Sequence, residues 1–369
     1  MALSALNRRR WRNFKANRRA FWSLWLLLLL YGLSLFAELI ANDRPVLVHY
    51  DGGYYMPVFK FYPETAFGGD LRTEADYTTS EVQCLIVAAG SQDCWDDPDG
   101  IRAEVQDQGT AAGQAVSKGW MLWPPIPYRY NTIVDTGGVA PGPPSAQNWL
   151  GTDDTSRDVL ARVIYGFRLS VTFALIVTIL TSVIGIAAGA VQGYFGGLTD
   201  LLFQRFIELW SSVPTLYVII ILTAVWAKSF WLLVGLLVAF GWTGLVGVVR
   251  AEFLRARNFE YVRAAKALGV SDWQIMFRHV LPNAMVATLT LLPFAVTGVI
   301  GTLASLDYLG FGLPADLPSL GQLTRQAQQN LQAPHLAFVA FFTFAIMLSL
   351  LVFIFEGVRD AFDPRKTFR

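Results

Sequence analysis

Charge is what this sequence has least of. Asp, Glu, Lys and Arg make up 15% of its 369 residues, against 54% hydrophobic, whereas a soluble domain carries about a quarter of its residues as charges. The deficit is concentrated in long apolar runs, which excludes an ordinary soluble domain and points to a membrane protein. Two cysteines and three histidines are too few and too scattered for a zinc cluster, so no metal site is expected. No Gly-x-x-x-x-Gly-Lys-[Ser/Thr] string is present to cradle phosphates, and the chain is not expected to hydrolyse ATP. Nor do Ser, His and Asp, or paired carboxylates, gather in one apolar pocket. No catalytic residue is assigned and an enzyme is not expected.

What is present is a series of apolar runs, each near the ~20 residues that cross about 30 Å of hydrocarbon. They occupy 21–40, 169–191, 206–227, 229–249, 284–306 and 336–355, and predict six transmembrane helices in an all-α polytopic membrane protein. Lys and Arg in the flanks orient them. Residues 1–20 hold Arg8, Arg9, Arg10, Arg12, Lys15, Arg18 and Arg19 and no acid, and the segments 250–282 and 359–369 are also basic. The segment 41–167 holds 17 acids against eight bases. Both termini and 250–282 are therefore expected in the cytoplasm, with the acidic segment outside. The first run is too long for a signal-peptide core, and Glu38-Leu39-Ile40-Ala41-Asn42 is a poor cleavage site, so it reads as an uncleaved span.

The expected organisation is a basic cytoplasmic N-terminus over 1–20, a first span over 21–40, an insertion of mixed or irregular structure over 41–168, a transmembrane core over 169–358 and a cytoplasmic tail over 359–369. Within the insertion, 45–50 and 54–61 read as strands bounded by turn residues. Cys84 and Cys94 lie in the part placed outside, where an oxidising compartment permits a disulfide; two unpaired thiols are the alternative. In the core, Gly185 and Gly189 form a small-xxx-small pattern for close helix packing, and Pro214 and Pro293 should bend their spans. Glu208 is an ionisable residue near membrane depth. It can pair with Arg205, three residues before it on the same helical face, or stand near a translocation path.

Between the fourth and fifth runs lies YVRAAKALGVSDWQIMFRHVLPN, from Tyr261 to Asn283. Asn258 can cap a short helix through Glu260 to Leu268, with Glu260 in the first turn where the dipole favours an acid. Phe259, Val262, Ala265 and Leu268 fall near one face, with Arg263 and Lys266 elsewhere. Gly269 suits a left-handed helix end, and Ser271 with Gln274 forms a capping box for the next helix. Spans close on both sides leave this helix pair no freedom to reach a DNA groove, so no nucleic-acid partner is expected. A helix that docks in a groove of a cytoplasmic partner remains.

Ala264-Ala265-x-x-x-Gly269 followed by Leu281-Pro282 resembles the EAA loop of permease subunits in ABC importers. Arg263 stands where that motif usually has Glu, and His279 replaces a common Ile. The fuller string AAKALGVSDWQIMFRHVLPN is similar to the dipeptide/oligopeptide/nickel branch of the family. Asn148-Trp149-Leu150-Gly151-Thr152-Asp153 with Arg157-Asp158 and Arg162 resembles the segment before the second span in that branch. A glycine is usual where Ser156 stands, so its turn either avoids positive φ or tolerates the strain. Ser305-Leu306-Asp307-Tyr308-Leu309-Gly310-Phe311-Gly312-Leu313-Pro314 resembles the outside loop after the fifth span. Glu38-Leu39-Ile40-Ala41-Asn42-Asp43 with Tyr50-Asp51-Gly52-Gly53-Tyr54 is similar to the Yej-type peptide importers.

The resemblance implies a type I importer permease fold in the bacterial inner membrane. It implies as partners a homologous second permease in a heterodimer, a cytoplasmic ATPase that binds ATP and Mg, and a periplasmic peptide-binding protein. Oligopeptides are the implied substrates, microcin C among them. Glu260, Tyr261, Arg263, Ala264, Ala265, Leu268, Gly269 and Ser271 become the ATPase-coupling set. Glu208, Pro214, Leu306, Asp307 and Phe311 become candidates for the path or its gate. An autonomous channel or secondary transporter is the competing class; it should show charges in several spans or inverted repeats, and the sequence shows one such charge and no convincing repeat.

Overall fold

Apolar runs without charges become long helices because a backbone in hydrocarbon must satisfy its own hydrogen bonds. The computed structural model describes residues 5–111 and 119–362. In chain order it opens with α1 (Ala5–Ala16) and α2 (Arg18–Leu35), followed by α3 (Ala37–Ile40), β1 (Leu47–Tyr50), β2 (Gly53–Tyr55), α4 (Ser80–Val87), α5 (Pro98–Ala111) and β3 (Gly119–Leu122). Helices α6 (Val159–Phe195), α7 (Gly197–Ser211), α8 (Thr215–Val225), α9 (Phe230–Gly241), α10 (Thr243–Ala256) and α11 (Glu260–Ala267) come next. The chain continues through α12 (Asp272–Gln274), a π-helical turn Ile275–Val280, α13 (Leu281–Leu309), α14 (Leu320–Gln329) and α15 (Pro334–Phe362). The tail expected over 359–369 lies, beyond 362, outside the described residues, as do residues 1–4 of the basic N-terminus.

Among the described residues, four stretches can cross a membrane by length and composition: Val159–Phe195, Phe230–Ala256, Asp272–Leu309 and Pro334–Phe362. The pair α7 and α8, bent by 62°, makes five if it counts as one span. Six were expected. The first run falls short because α2 has 18 residues and begins at Arg18 and Arg19. Its charge-free part, residues 20–35, rises only about 24 Å, against about 30 Å of hydrocarbon. The third run breaks at Pro214, which has no amide hydrogen to continue the preceding helix and sits extended at the N-cap of α8. Pro293 leaves α13 continuous.

The chain divides into two units, one of residues 1–32 and 166–369, the other Leu33–Tyr165. In the first, Phe173 and Val177 of α6 pack with Ile219 of α8, Leu233 and Leu237 of α9, and Leu303 and Leu306 of α13. Helices α6 and α10 approach closely because Gly185, Gly189 and Gly193 carry no side chain. A Cβ on Gly189 would lie 2.8 Å from the Val246 carbonyl oxygen, and one on Gly193 2.5 Å from that of Arg250. The periodicity predicted the first two of these glycines; Gly193 extends the same row by one more turn.

In the second unit the strands form an antiparallel sheet in the order β2-β1-β3, with Val48 opposite Tyr55 and His49 opposite Trp120. Val48, Phe67, Tyr77, Val82 and Ile86 form the core beneath it. Cys84 and Cys94 are joined by a disulfide and are fully buried. The strand expected over 54–61 is only Gly53–Tyr55. Pro57 cannot donate to a ladder, and the amides of Phe59 and Lys60 turn back to the Met56 carbonyl.

Near the end of this unit the Asn148–Arg162 segment is tied together by its own side chains. The Asp153 carboxylate accepts from the amides of Thr155 and Arg157, each at 2.9 Å, and from Arg157 Nε at 2.9 Å. Arg162 lies 3.4 Å from it, with both side chains buried. Burial pushes the Asp153 carboxyl up, yet the Arg162 charge, with Arg157 beside it, holds it below the usual carboxylate range. Asp158 accepts from Asn148 Nδ2 at 2.8 Å and from the Ala161 amide at 2.7 Å; burial outweighs these bonds and raises its pKa. Ser156 sits at φ +58°, so its turn does not avoid the left-handed region. It tolerates it.

Candidate functional site

The polar loop between α10 and α13 has two kinds of residue. Val262 is fully buried and Ala265 nearly so, in one core with Ala190 and Tyr194 of α6, Val249 and Phe253 of α10, Ile275, Met276 and Val280 of the π turn, and Ala284 of α13. The short helix α11 is thus fastened to the ends of three long helices. The rest of it faces outward. Glu260, Arg263 and Ala264 are exposed, as are Phe259 at 42%, Tyr261 at 40% and Leu268 at 83%. The sequence grouped Phe259 and Leu268 near one face with Val262 and Ala265. The structure separates them, because the helix spans only Glu260–Ala267 and both residues lie just beyond its ends.

The start of α11 also differs from expectation. Phe259, not Asn258, is the N-cap and gives no side-chain cap; the Asn258 side chain instead donates from Nδ2 back to the Leu254 carbonyl at 3.2 Å. The end of the helix is the stronger device. Gly269 at φ +75° lets the Val270 amide reach the Ala265 carbonyl at 3.1 Å and its own amide reach that of Lys266 at 3.0 Å. This is the paired closure of a Schellman motif. Ser271 then accepts from the Gln274 amide and starts the next helix.

Polar contacts brace the loop against α6. The Tyr194 hydroxyl donates to Asp272 Oδ1 at 2.6 Å. Lys266 lies 3.7 Å from the same oxygen, with its ammonium 4.7 Å from the Tyr194 ring centroid. Behind this, Arg250 of α10 holds Asp200 of α7 through two bonds of 2.5 and 2.7 Å. A planar guanidinium fork on one carboxylate fixes orientation as well as distance. No part of the sequence reading singled out Tyr194, Asp200 or Asp272, because their partners are 50 and 78 residues away.

At the other end of α13 the residues offered for a path or gate form a packed knot. Asp307 is 4% exposed and Leu306 3%. Asp307 Oδ1 accepts from the Leu313 amide at 2.7 Å and Oδ2 from the Ser319 hydroxyl at 2.6 Å. Gly310 turns the chain at φ +84°, and the Phe311 amide bonds the Leu306 carbonyl at 2.8 Å. Phe311 packs on the same core as Leu306. Glu208 accepts from Arg205 at 2.6 Å, both side chains being well exposed.

A different set of residues encloses open space. A cavity of about 520 Å³ lies among α6, α8, α9, α10 and α13, walled by Val177, Thr181, Thr215, Phe240, Gly244, Leu291, Ala295, Gly298 and Thr302. Thr215 directly follows Pro214, so the helix break opens beside this cavity. Of the path candidates Pro214 alone adjoins one of its walls. The sequence signal that could have marked the wall is the interruption of apolar runs by Gly and Thr.

Residues 182–368 match the family of binding-protein-dependent transport system inner membrane components. Residues 6–55 match the N-terminal transmembrane domain of oligopeptide transport permease C. Over 99% of its length the chain is 52% identical to the peptidoglycan transport system permease protein YejE of Agrobacterium fabrum, covering 95% of that protein. It is 53% identical to the inner membrane ABC transporter permease protein YejE of Escherichia coli, over 99% of this chain and 98% of that one. Identity to the oligopeptide transport system permease protein OppC of Bacillus subtilis is 33%, over 66% of this chain and 80% of that one. A helix fastened to the base of several apolar helices, a cavity among those helices, and this depth of likeness lead to one conclusion: the chain belongs to the binding-protein-dependent transport system inner membrane components, as a permease subunit of an ABC importer.

Proposed function

We propose that this permease imports oligopeptides and takes its driving force through α11, the coupling helix. The observation that carries the reading is the division of labour in α11: Val262 and Ala265 are held in the core while Phe259, Tyr261 and Leu268 stand exposed. An apolar surface presented by a rigidly mounted helix suits a groove in another protein. The partner is a cytoplasmic ATPase that binds ATP and Mg, and closure of its domains pushes α11. Because Tyr194, Asp272 and the shared core tie α11 to α6, α10 and α13, that push moves the long helices together.

The full arrangement in this reading has six spans, with α2 as the first and the α7–α8 pair as the third. Both termini and the α11 loop lie in the cytoplasm, and the Leu33–Tyr165 unit stands in the periplasm. A homologous permease pairs with this chain, and the two cavities meet in one path. A periplasmic binding protein delivers the peptide. The threonine and glycine walls offer hydroxyls and backbone to a peptide without requiring a charge. Microcin C-like peptides fit this class. The name of the Agrobacterium relative favours a second reading of the cargo, a peptide-bearing fragment of peptidoglycan.

Affinity purification of the chain from native membranes tests the assembly, with mass spectrometry of the accompanying proteins and ligand. An ATPase and a second permease in one particle are the expected result, with a peptide on the binding protein. A transport-competent particle without an ATPase overturns the coupling assignment, and a sugar-bearing ligand selects the second cargo.

A further inference from the structure

Helix α1 carries most of the positive charge of the N-terminus and lies against the end of α15. Phe14 of α1, Ala20 at the start of α2 and Ala361 form the buried contact there. Gly357 makes this approach possible, since a Cβ there would collide with Ala20. Beside the contact is an open apolar cavity of about 400 Å³, lined by Trp11, Phe14, Leu24, Val358 and Phe362, with Arg10 at its edge. That volume is within the range of small-molecule sites, about 300–1,000 Å³. The Arg10 guanidinium lies 4.5 Å from the Phe362 ring centroid, and Lys15 lies 5.3 Å from that of Trp11.

On α1 and at the start of α2, Arg8, Arg9, Arg12, Lys15, Arg18 and Arg19 are all exposed. Among the described residues none of these six is in an ion pair. The facing stretch of α15 supplies Glu356, Arg359 and Asp360, the last accepting from Asn17 Nδ2 at 3.4 Å. Two carboxylates do not offset the cations opposite them. Topology alone accounts for positive charge at a membrane flank. It does not account for an apolar cavity that has Arg10 in its lining and Lys15 over its Trp11 wall, on the same basic helix.

We propose that this cavity and its cations bind an anionic phospholipid, the acyl chain lying along Trp11, Phe14 and Val358 and the phosphate among the arginines. Charge complementarity commits the site to an anionic headgroup, and an apolar lining beside a membrane helix commits it to a lipid. Each Lys or Arg near an anionic leaflet strengthens a segment's attraction to that surface by about fivefold.

The full chain, purified in detergent, is titrated with phosphatidylglycerol, phosphatidylcholine and inorganic phosphate and read by native mass spectrometry. A phosphatidylglycerol adduct at least tenfold more persistent than the phosphatidylcholine adduct, and not displaced by phosphate, is expected. R8Q/R9Q/R12Q/K15Q changes only exposed side chains and should abolish that preference. Val358→Trp should fill the cavity and remove the adduct while leaving the cations in place. Equal retention of the two lipids overturns the proposal, as does displacement by free phosphate or a preference that survives both variants.

Discussion

The loops before and after α13 each turn on a glycine and are used in opposite ways. Each has a motif in which a glycine at positive φ ends a helix, Gly269 on one side and Gly310 on the other. A Cβ on Gly269 would meet nothing within 4 Å, whereas one on Gly310 would lie 2.9 Å from Arg325 and one on Gly312 would strike the Asp307 carboxylate. The first turn holds up an exposed surface. The second closes on itself, with Asp307 buried and bonded by the Leu313 amide and the Ser319 hydroxyl. A motif that reads equally well in sequence can therefore serve a partner or serve the fold, and only its surroundings tell which.

Substitutions break this contrast in a definite order. Gly269→Pro has the largest expected effect, because proline requires φ near −65° where the chain stands at +75° and removes an amide that bonds Lys266. Ala265→Asp is comparable, since it places a carboxylate without a partner among Val262, Phe253 and Ile275, at a cost of several kcal/mol. Both variants should reach the membrane and fail to take up peptide in a labelled-peptide assay. Uptake at the normal rate in either would exclude α11 as the lever. Leu268→Asp separates partner from fold. Leu268 is 83% exposed, so thermal unfolding should be unchanged while ATPase co-purification and uptake fall at least tenfold, the loss expected of one of the few side chains that anchor an interface.

Asp307→Ala examines the other turn and should show the reverse. It leaves the Leu313 amide and Ser319 hydroxyl without their acceptor, which costs about 1–3 kcal/mol for a buried group. The unfolding temperature should drop, with ATPase association intact in the protein that remains. A variant of normal stability and no uptake would instead return Asp307 to a role in the path.

Much of this contrast was legible in the sequence, and its limits are physical. The long charge-free runs gave α6, α9–α10, α13 and α15, since nothing but a helix suits such residues in lipid. Val262, Ala265, Gly269 and Ser271 were placed correctly because helix period and cap chemistry are local. Phe259 and Leu268 were read near one face with Val262 and Ala265, and the structure separates them, because an apolar residue signals burial but not whether its own chain or another does the burying. Asn258 was taken as the cap on residue type alone, and a bond to Leu254 claimed it. The brace of Tyr194 on Asp272 and the Arg250–Asp200 pair join residues far apart in sequence, where no local pattern can show them.

Ser156 gives the smallest effect and sharpens the comparison from outside α13. It too is left-handed, at φ +58°, but without a glycine, so something other than backbone freedom must fix the turn. The Asp153 carboxylate does so by gathering the amides of Thr155 and Arg157, while the Ser156 amide bonds the Asp153 carbonyl at 3.0 Å. Ser156→Gly relieves a left-handed strain of about 1–2 kcal/mol. It also loosens the unfolded chain by about 0.4–1 kcal/mol and deletes a 3.3 Å contact with Thr136. The net stabilisation should therefore lie below about 1 kcal/mol, a rise of at most a few degrees in unfolding temperature. Asp153→Asn should weaken the turn more than Ser156→Gly strengthens it, because it removes the charge facing Arg157 and Arg162. If the glycine variant proves the larger of the two changes, the backbone rather than the carboxylate holds this turn, and it belongs with Gly269 and Gly310.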